Sequence, residues 1–329
     1  MRAIKKILVA IKRPGVGQAA TLRKAVQLAL GLGAELELFH ALTTPIYLGP
    51  AADDALDWRE QRDRTERRAI ARLERTAARL RRSGVKVSVK ALWDYPSHAA
   101  LLRRVRHSGA GLVVAERHAG GHTAPWLLRY TDWELLRQCP VPVLLVKKSR
   151  PYSKPVLLAG LDPFHEFAKP AQLDREILTL GETLAGALKG TLHAAHVYLA
   201  PAFRAGGGAE GRALVELYQT RAREQALAAL RKELKNYDFR PARTHVVAGH
   251  PAEQLPRLVK SVNAQIVLMG AVSRSGLKRL VVGNTAEAVF DDLACDILVV
   301  KPAGFRNKVP TRVRGPSFVL PADSGAPWI

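Results

Sequence analysis

"KILVAIK", Lys6 to Lys12, is a short run of branched apolar residues that ends on a charge, and "VLLAGLD", Val156 to Asp162, repeats the device in the second half of the chain. A strand that reads as a continuous Val/Ile/Leu run is buried on both faces, as in a parallel sheet covered by helices. Helical spacing of apolar residues follows each run: Leu22, Val26 and Ala29 after the first, Leu173, Ile177 and Leu180 after the second. Gly33 and Gly190 then predict the two helix stops.

The correspondence continues in order. Strands "AELELFH" (Ala34 to His40) and "TLHAAHV" (Thr191 to Val197) precede long helices around Arg59 to Arg82 and Leu214 to Leu234. Strand "VKVSVKAL" (Val85 to Leu92) answers "THVVAG" (Thr244 to Gly249), and "PSHAALLRRVRHSG" answers "PAEQLPRLVKSVN", where Pro256 is expected to kink or delay a short helix. "GLVVA" (Gly111 to Ala115) matches "QIVLMG" (Gln265 to Gly270), and "PVLLVKK" (Pro142 to Lys148) matches "DILVVKP" (Asp296 to Pro302). Buried strands alternating with helices predict an α/β protein: two tandem doubly wound, Rossmann-like parallel-sheet domains packed as a pseudo-dimer. The expected division is a domain over 1–148, a polar linker over 149–154, a second domain over 155–303, and a Pro-rich tail over 304–329 that is mobile or draped over the surface.

The 329 residues suit two domains of about 150 residues each. A hydrophobic fraction of 47% and a charged fraction of 24% exclude a disordered chain. The apolar stretch Ile7 to Ile11 is too short for a signal-peptide core, so a cytoplasmic location without a membrane span is expected. Cys139 and Cys295 form no CxxC and read as buried thiols, and His107, His118 and His122 fit no metal template, so no metal site is expected. Net charge is +22, from 51 Lys and Arg against 29 Asp and Glu. Much of the excess lies in Arg59 to Arg82, a helical segment in which Glu60, Asp63, Glu66 and Glu74 offer i,i+4 pairs. That segment reads as a solvated face, or else as a polyanion-binding one.

"MGAVSRSGLKRLVVGNTAE", Met269 to Glu287, leaves a strand and enters a helix. Gly270 and Gly283 permit close backbone approach, and a helix starting near Asn284 would aim free N–H groups at an anion. Ser273, Ser275 and Thr285 add hydroxyls, and Arg274, Lys278 and Arg279 add charge. Asn284 followed by Glu287 equally forms a capping box, which would make the stretch a plain strand-to-helix turn.

With "GNTAE" (Gly283 to Glu287), "TDWELLRQCPVPVL" (Thr131 to Leu144) and "LDP" (Leu161 to Pro163), the repeated order resembles the universal stress protein family, in its tandem E-type form, over about residues 4 to 303. The resemblance implies a cytoplasmic stress-response regulator or protectant that binds an adenine nucleotide, ATP with Mg, in its second half; with no nucleophile elbow, GxxxxGK(S/T) loop or paired-carboxylate arrangement in the sequence, no catalysis beyond weak ATP hydrolysis is expected. Nucleotide-binding members carry Gly, two residues, Gly, nine residues, Gly, then Ser or Thr. Here the frame is Gly270, Ser273, Gly283 and Asn284, so spacing is kept while two positions depart. The implied nucleotide-binding residues are Asp162 toward adenine and ribose, His196 and Val197 toward the base, and Gly270, Ser273, Arg274, Gly283, Asn284 and Thr285 toward the phosphates.

The first half departs from this pattern. Lys12 replaces the aspartate, "AERHAGGH" (Ala115 to His122) replaces the start of the loop, and Arg129-Tyr130 stand opposite Gly283-Asn284, so no ATP is expected there. Expected partners are the nucleotide, the other half of the chain, a second copy as a homodimer, and polyanions through Arg59 to Arg82. Two other readings stay open: a nucleic-acid-associated protein, and an apolar-ligand carrier with a pocket between the halves. Trp93, Trp126, Trp133, Tyr95 and Tyr130 would line that pocket, or pack the interface instead.

Overall fold

The structure, a computed structural model, describes residues 3–47, 54–117, 125–164, 172–199, 208–271, 290, 292–307 and 309–319. By its contacts the chain forms two compact units, Ala3–Val141 together with the segment from Asn307 onward, and Pro142–Arg306.

The first unit runs β1 (Lys6–Ala10), α1 (Ala19–Leu32), β2 (Glu35–Leu42), β3 (Ile46–Tyr47), α2 (Asp54–Arg81), β4 (Val87–Trp93), α3 (Ser97–Ser108), β5 (Leu112–Glu116) and α4 (Pro125–Gln138). Its strands lie in the order β4-β2-β1-β5, all parallel. The second unit runs β6 (Val143–Val146), β7 (Val156–Gly160), α5 (Gln172–Ala187), β8 (Thr191–Tyr198), α6 (Ala209–Leu234), β9 (Thr244–Ala248), α7 (Pro251–Ser261), β10 (Ala264–Gly270) and β11 (Asp296–Val300). Its order is β6-β11-β10-β7-β8-β9. Every pair there is parallel except β6 with β11, which is antiparallel with Leu145 opposite Ile297. The mostly parallel α/β architecture expected from the repeat is therefore present. Among the described residues, no helix is long and apolar enough to cross a membrane.

The core is what the two opening strings require. Ile7, Leu8 and Val9 of β1 and Leu157, Leu158 and Ala159 of β7 are fully buried. Each buried Val, Leu or Ile side chain contributes about 1.5–3 kcal/mol relative to an exposed one. In α5 the expected stripe Leu173, Ile177 and Leu180 is buried, but in α1 Leu22 and Val26 are only half-buried. The buried side of α1 is Thr21, Lys24, Ala25, Leu28 and, as expected, Ala29. Small Ala25 and the methylene stem of Lys24 let it sit closely there, a solution that an apolar-only periodicity misses.

The helix stops are made differently in the two halves. Gly33 ends α1 in the left-handed region, φ 63, as expected. After α5 the left-handed residue is Lys189, φ 53, and Gly190 serves close approach instead, since a Cβ there would collide with the carbonyl oxygen of Pro155. Pro256 neither delays nor ends α7, which starts at Pro251 and runs past it, capped by His250. Its missing N–H costs one bond inside a helix that Leu255, Leu258 and Val259 still anchor to the core.

Asp296, fully buried at the start of β11, orders the segment that follows β6. It accepts the backbone N–H groups of Lys147 and Lys148 at 2.8 and 3.0 Å and the Tyr152 hydroxyl at 2.6 Å. Residues 309–319 pack as part of the first unit. Arg103 and Arg106 of α3 donate to the carbonyls of Pro310 and Val309 at 3.2 and 2.8 Å. Ile46 donates to Ser317, and β12 (Phe318–Val319) then pairs in parallel with β3. The Phe318 ring meets Trp58 edge-on at 5.2 Å. Residues 309–319 are thus held largely through their own backbone carbonyls.

Candidate functional site

In the second unit β8 lies on one side of β7 and β10 on the other, so strand order reverses at β7 and β10. The crevice at the carboxyl ends of such strands is where doubly wound sheets bind ligands. β7 is tied to β8 there, because Leu161 donates its N–H to the Ala195 carbonyl at 2.8 Å. The next residue, Asp162, is 8% exposed, and its N–H donates to Asp174 Oδ2 at 3.1 Å. Asp174 is fully buried in the first turn of α5, where a carboxylate is stabilised by the positive end of the helix. Two carboxylates at one strand end repel a phosphate and suit hydroxyl or amino donors.

His196 is 1% exposed, and its Nδ1 lies 3.1 Å from the Leu161 carbonyl oxygen. Its Nε2 is buried and, among the described residues, has no hydrogen-bond partner. Phe164 and Tyr198 are its ring neighbours, at 5.5 and 6.3 Å between centroids. Val197 pairs with Val247 of β9. Gly270 closes β10 beside β11, and Ala271 donates to the Val300 carbonyl at 2.9 Å. The registers Gly160↔Ala195 and Leu268↔Ala159 put Asp162, His196, Val197 and Gly270 at one level of the sheet. Ser273, Arg274, Gly283, Asn284 and Thr285 lie outside the described residues.

The first unit has the same frame. Ile11 donates to the Phe39 carbonyl at 2.8 Å, and His40 Nδ1 lies 2.8 Å from the Ile11 carbonyl. Burial pushes the His40 imidazole below its ordinary range, against the pull of that carbonyl. Lys12 stands where Asp162 stands, and its N–H donates to Gln18 Oε1 at 3.2 Å. Gln18 is buried in a left-handed conformation, φ 59, and returns its amide to the Ala10 carbonyl at 3.2 Å. Burial pushes the Lys12 ammonium below the usual lysine range, while Asp132 and Glu116 oppose the shift. Asp174 and Gln18 were not candidates from the sequence. An aspartate three residues into a helix is a readable cap signal; a left-handed glutamine carries none.

Other expected features resolve into local structure. On α2, Glu60 pairs with Arg64 at 2.6 Å in the i,i+4 spacing, Asp63 with its neighbour Arg62 at 2.8 Å, and Glu74 with Arg81 at 3.0 Å. Trp93 donates to the Arg62 carbonyl at 3.3 Å, and Tyr95 lies under the Arg314 guanidinium at 5.4 Å, so both pack within the first unit. The side chains of Trp126 and Tyr130, and residues His118 and His122, lie outside the described residues. His107 Nδ1 lies 2.7 Å from the Arg103 carbonyl of its own helix. Both cysteines are buried, and burial pushes the Cys295 thiol up to about 12.

The sequence profile of the Universal stress protein family matches residues 3–147 and 172–301, one match on each half. The chain belongs to the universal stress protein family. Universal stress protein E of Escherichia coli (strain K12) is 28% identical over 323 residues, 94% of this chain and 98% of that protein. Universal stress protein E of Photorhabdus laumondii is 24% identical over 91% of this chain and 95% of its own length. A functionally unknown protein from Pseudomonas aeruginosa PAO1 has a crystal structure similar to this one, with a TM-score of 0.69, 27% identity, and coverage of 91% of this chain and 93% of that one. A universal stress protein from Archaeoglobus fulgidus, at 15% identity and a TM-score of 0.56 over 92% of this chain and 97% of that one, shares the fold.

Proposed function

We propose that the second unit binds an adenine nucleotide, ATP with Mg, at the β7–β10 switch point, and that the protein is a stress-response regulator or protectant that works by binding rather than turnover. The observation that carries this reading is the convergence of Asp162, His196, Val197 and Gly270 at one level where strand order reverses. The described residues fit the nucleoside end of the ligand: Asp162 supplies an acceptor for ribose hydroxyls, and His196-Val197 faces the base. The phosphates and Mg belong beyond Gly270, where Ser273, Arg274, Gly283, Asn284 and Thr285 continue the signature spacing. Occupancy there would favour one arrangement of that stretch and shift the population a partner sees.

Calorimetric titration of ligand-stripped protein with Mg-ATP at physiological salt, beside a Gly283→Asp variant, tests the reading. Saturable binding at about one site per chain, lost in the variant, is expected. No heat in either protein across several temperatures would leave the stretch a strand-to-helix turn.

A further inference from the structure

We infer that His196 Nε2 is a buried acceptor that selects nucleotides bearing a hydrogen-bond donor, an exocyclic amine or a ribose hydroxyl, over those presenting an oxygen lone pair in its place. The inference rests on the nucleotide reading above and goes further, because it assigns a side chain the choice of ligand.

The tautomer follows from the partner. Nδ1 lies 3.1 Å from the Leu161 carbonyl oxygen, which can only accept, so Nδ1 carries the proton. A neutral imidazole has one N–H, and Nε2 is then a lone pair in want of a donor. It is buried in a residue 1% exposed and, among the described residues, meets no donor. Of the described groups at this level, the carboxylates of Asp162 and Asp174 and the Leu161 carbonyl are themselves acceptors and cannot serve it. A buried acceptor without a donor is rare in a folded chain and points to a missing partner. Phe164, 44% exposed beside the ring, supplies an aromatic surface that reaches solvent, suited to a flat heterocycle whose amine or sugar would complete the contact.

The test titrates ATP, inosine triphosphate and 2′-deoxyadenosine triphosphate into the wild type and His196→Asn at pH about 8.5, above the ordinary histidine range. Asparagine can still donate to Leu161 from the Nδ1 position but places nothing at Nε2. Inosine triphosphate lacks the amine and offers a carbonyl instead; the deoxy compound lacks the 2′-hydroxyl. The wild type should bind ATP about tenfold or more tightly than the analogue missing the relevant donor, and the preference should shrink to about twofold or less in His196→Asn. Equal affinity for all three in the wild type, or a preference that survives the substitution, overturns the inference while leaving the nucleotide site standing. Failure of all three to bind overturns the site itself. Should the variant not fold, 15N NMR of the wild type reads the same contact: the Nε2 resonance moves on ATP addition and not with the donor-lacking analogue, and an unmoved resonance overturns the inference.

Discussion

The two switch points share a backbone frame and differ in what hangs on it. In both, the residue just past the central strand (Ile11 or Leu161) donates to its neighbour at 2.8 Å, and its carbonyl meets a histidine Nδ1, from His40 in one half and His196 in the other. The next position is Lys12 in the first half and Asp162 in the second, with its N–H taken by Gln18 or by Asp174. The histidine-on-carbonyl contact thus belongs to the fold, whereas the sign of the charge beside it is free to change. The turns after the outer strands also part. Asp94 after β4 is buried and gripped by Arg103 through two 2.6 Å bonds, and it accepts the Arg314 N–H at 3.1 Å. After β9, Gly249 (φ 129) and His250 make the turn, and His250 accepts the Ala252 N–H at 3.3 Å.

The largest expected effect breaks the comparison at these turns. Asp94→Ala leaves Arg103 charged and buried without its carboxylate and should cost about 3–5 kcal/mol. His250→Ala removes one exposed cap and should cost about 1 kcal/mol. Deleting the chain from Asn307 removes the carbonyl acceptors of Arg103 and Arg106 but keeps the ion pair, so its cost should fall between the two. Urea titration of the three proteins orders them; equal midpoints for the two point variants would show that the turns are energetically alike.

A second effect concerns the charge. Asp162→Lys should weaken nucleotide binding about tenfold or more, because a charged acceptor is replaced by a cation. Lys12→Asp should leave the stoichiometry at one per chain, since the first half carries Arg129-Tyr130 at the positions aligned in sequence with Gly283-Asn284. Two sites in calorimetry would mean that Lys12 alone distinguishes the halves.

What could be read from the sequence follows from how local the physics is. The strands were legible because a buried parallel strand needs an unbroken apolar run, whereas Asp162 and His196 were singled out through the family resemblance. The docking of the C-terminal segment was not legible, since its grip on Arg103 and Arg106 uses the carbonyls of Pro310 and Val309, groups every residue has. Arg103 itself left a trace, a charge among Leu101, Leu102 and Val105 on the buried face of α3. The basic surplus also overstated free charge: Arg104 is held by buried Glu37 at 2.5 and 2.9 Å, a pairing 67 residues apart. Within the site, Gln18 was invisible because nothing in its identity announces a left-handed turn.

The smallest expected effect sharpens the comparison through pH. Burial holds the His40 imidazole below 6.5 in the first unit. In the second, His193 and His245 share a hydrogen bond at 2.9 Å with rings only 14° apart, and burial holds both below 6.5, with the His245 and Arg243 charges lowering His193 further. Well above pH 6.5 these rings are neutral in folded and unfolded chains and leave stability unchanged. As pH falls below 6.5 the unfolded chain takes protons that the folded one resists, so stability declines, by at most about 1.4 kcal/mol per pH unit for each proton. Thermal melts between pH about 7.5 and 5 should therefore drop in the wild type and flatten partly in His40→Asn and in His193→Asn. The second substitution should flatten more, because a shared N–H···N bond admits one proton between two rings and resists the next. An equal flattening would mean that the His193–His245 contact adds nothing to burial, and that the two units answer acid alike.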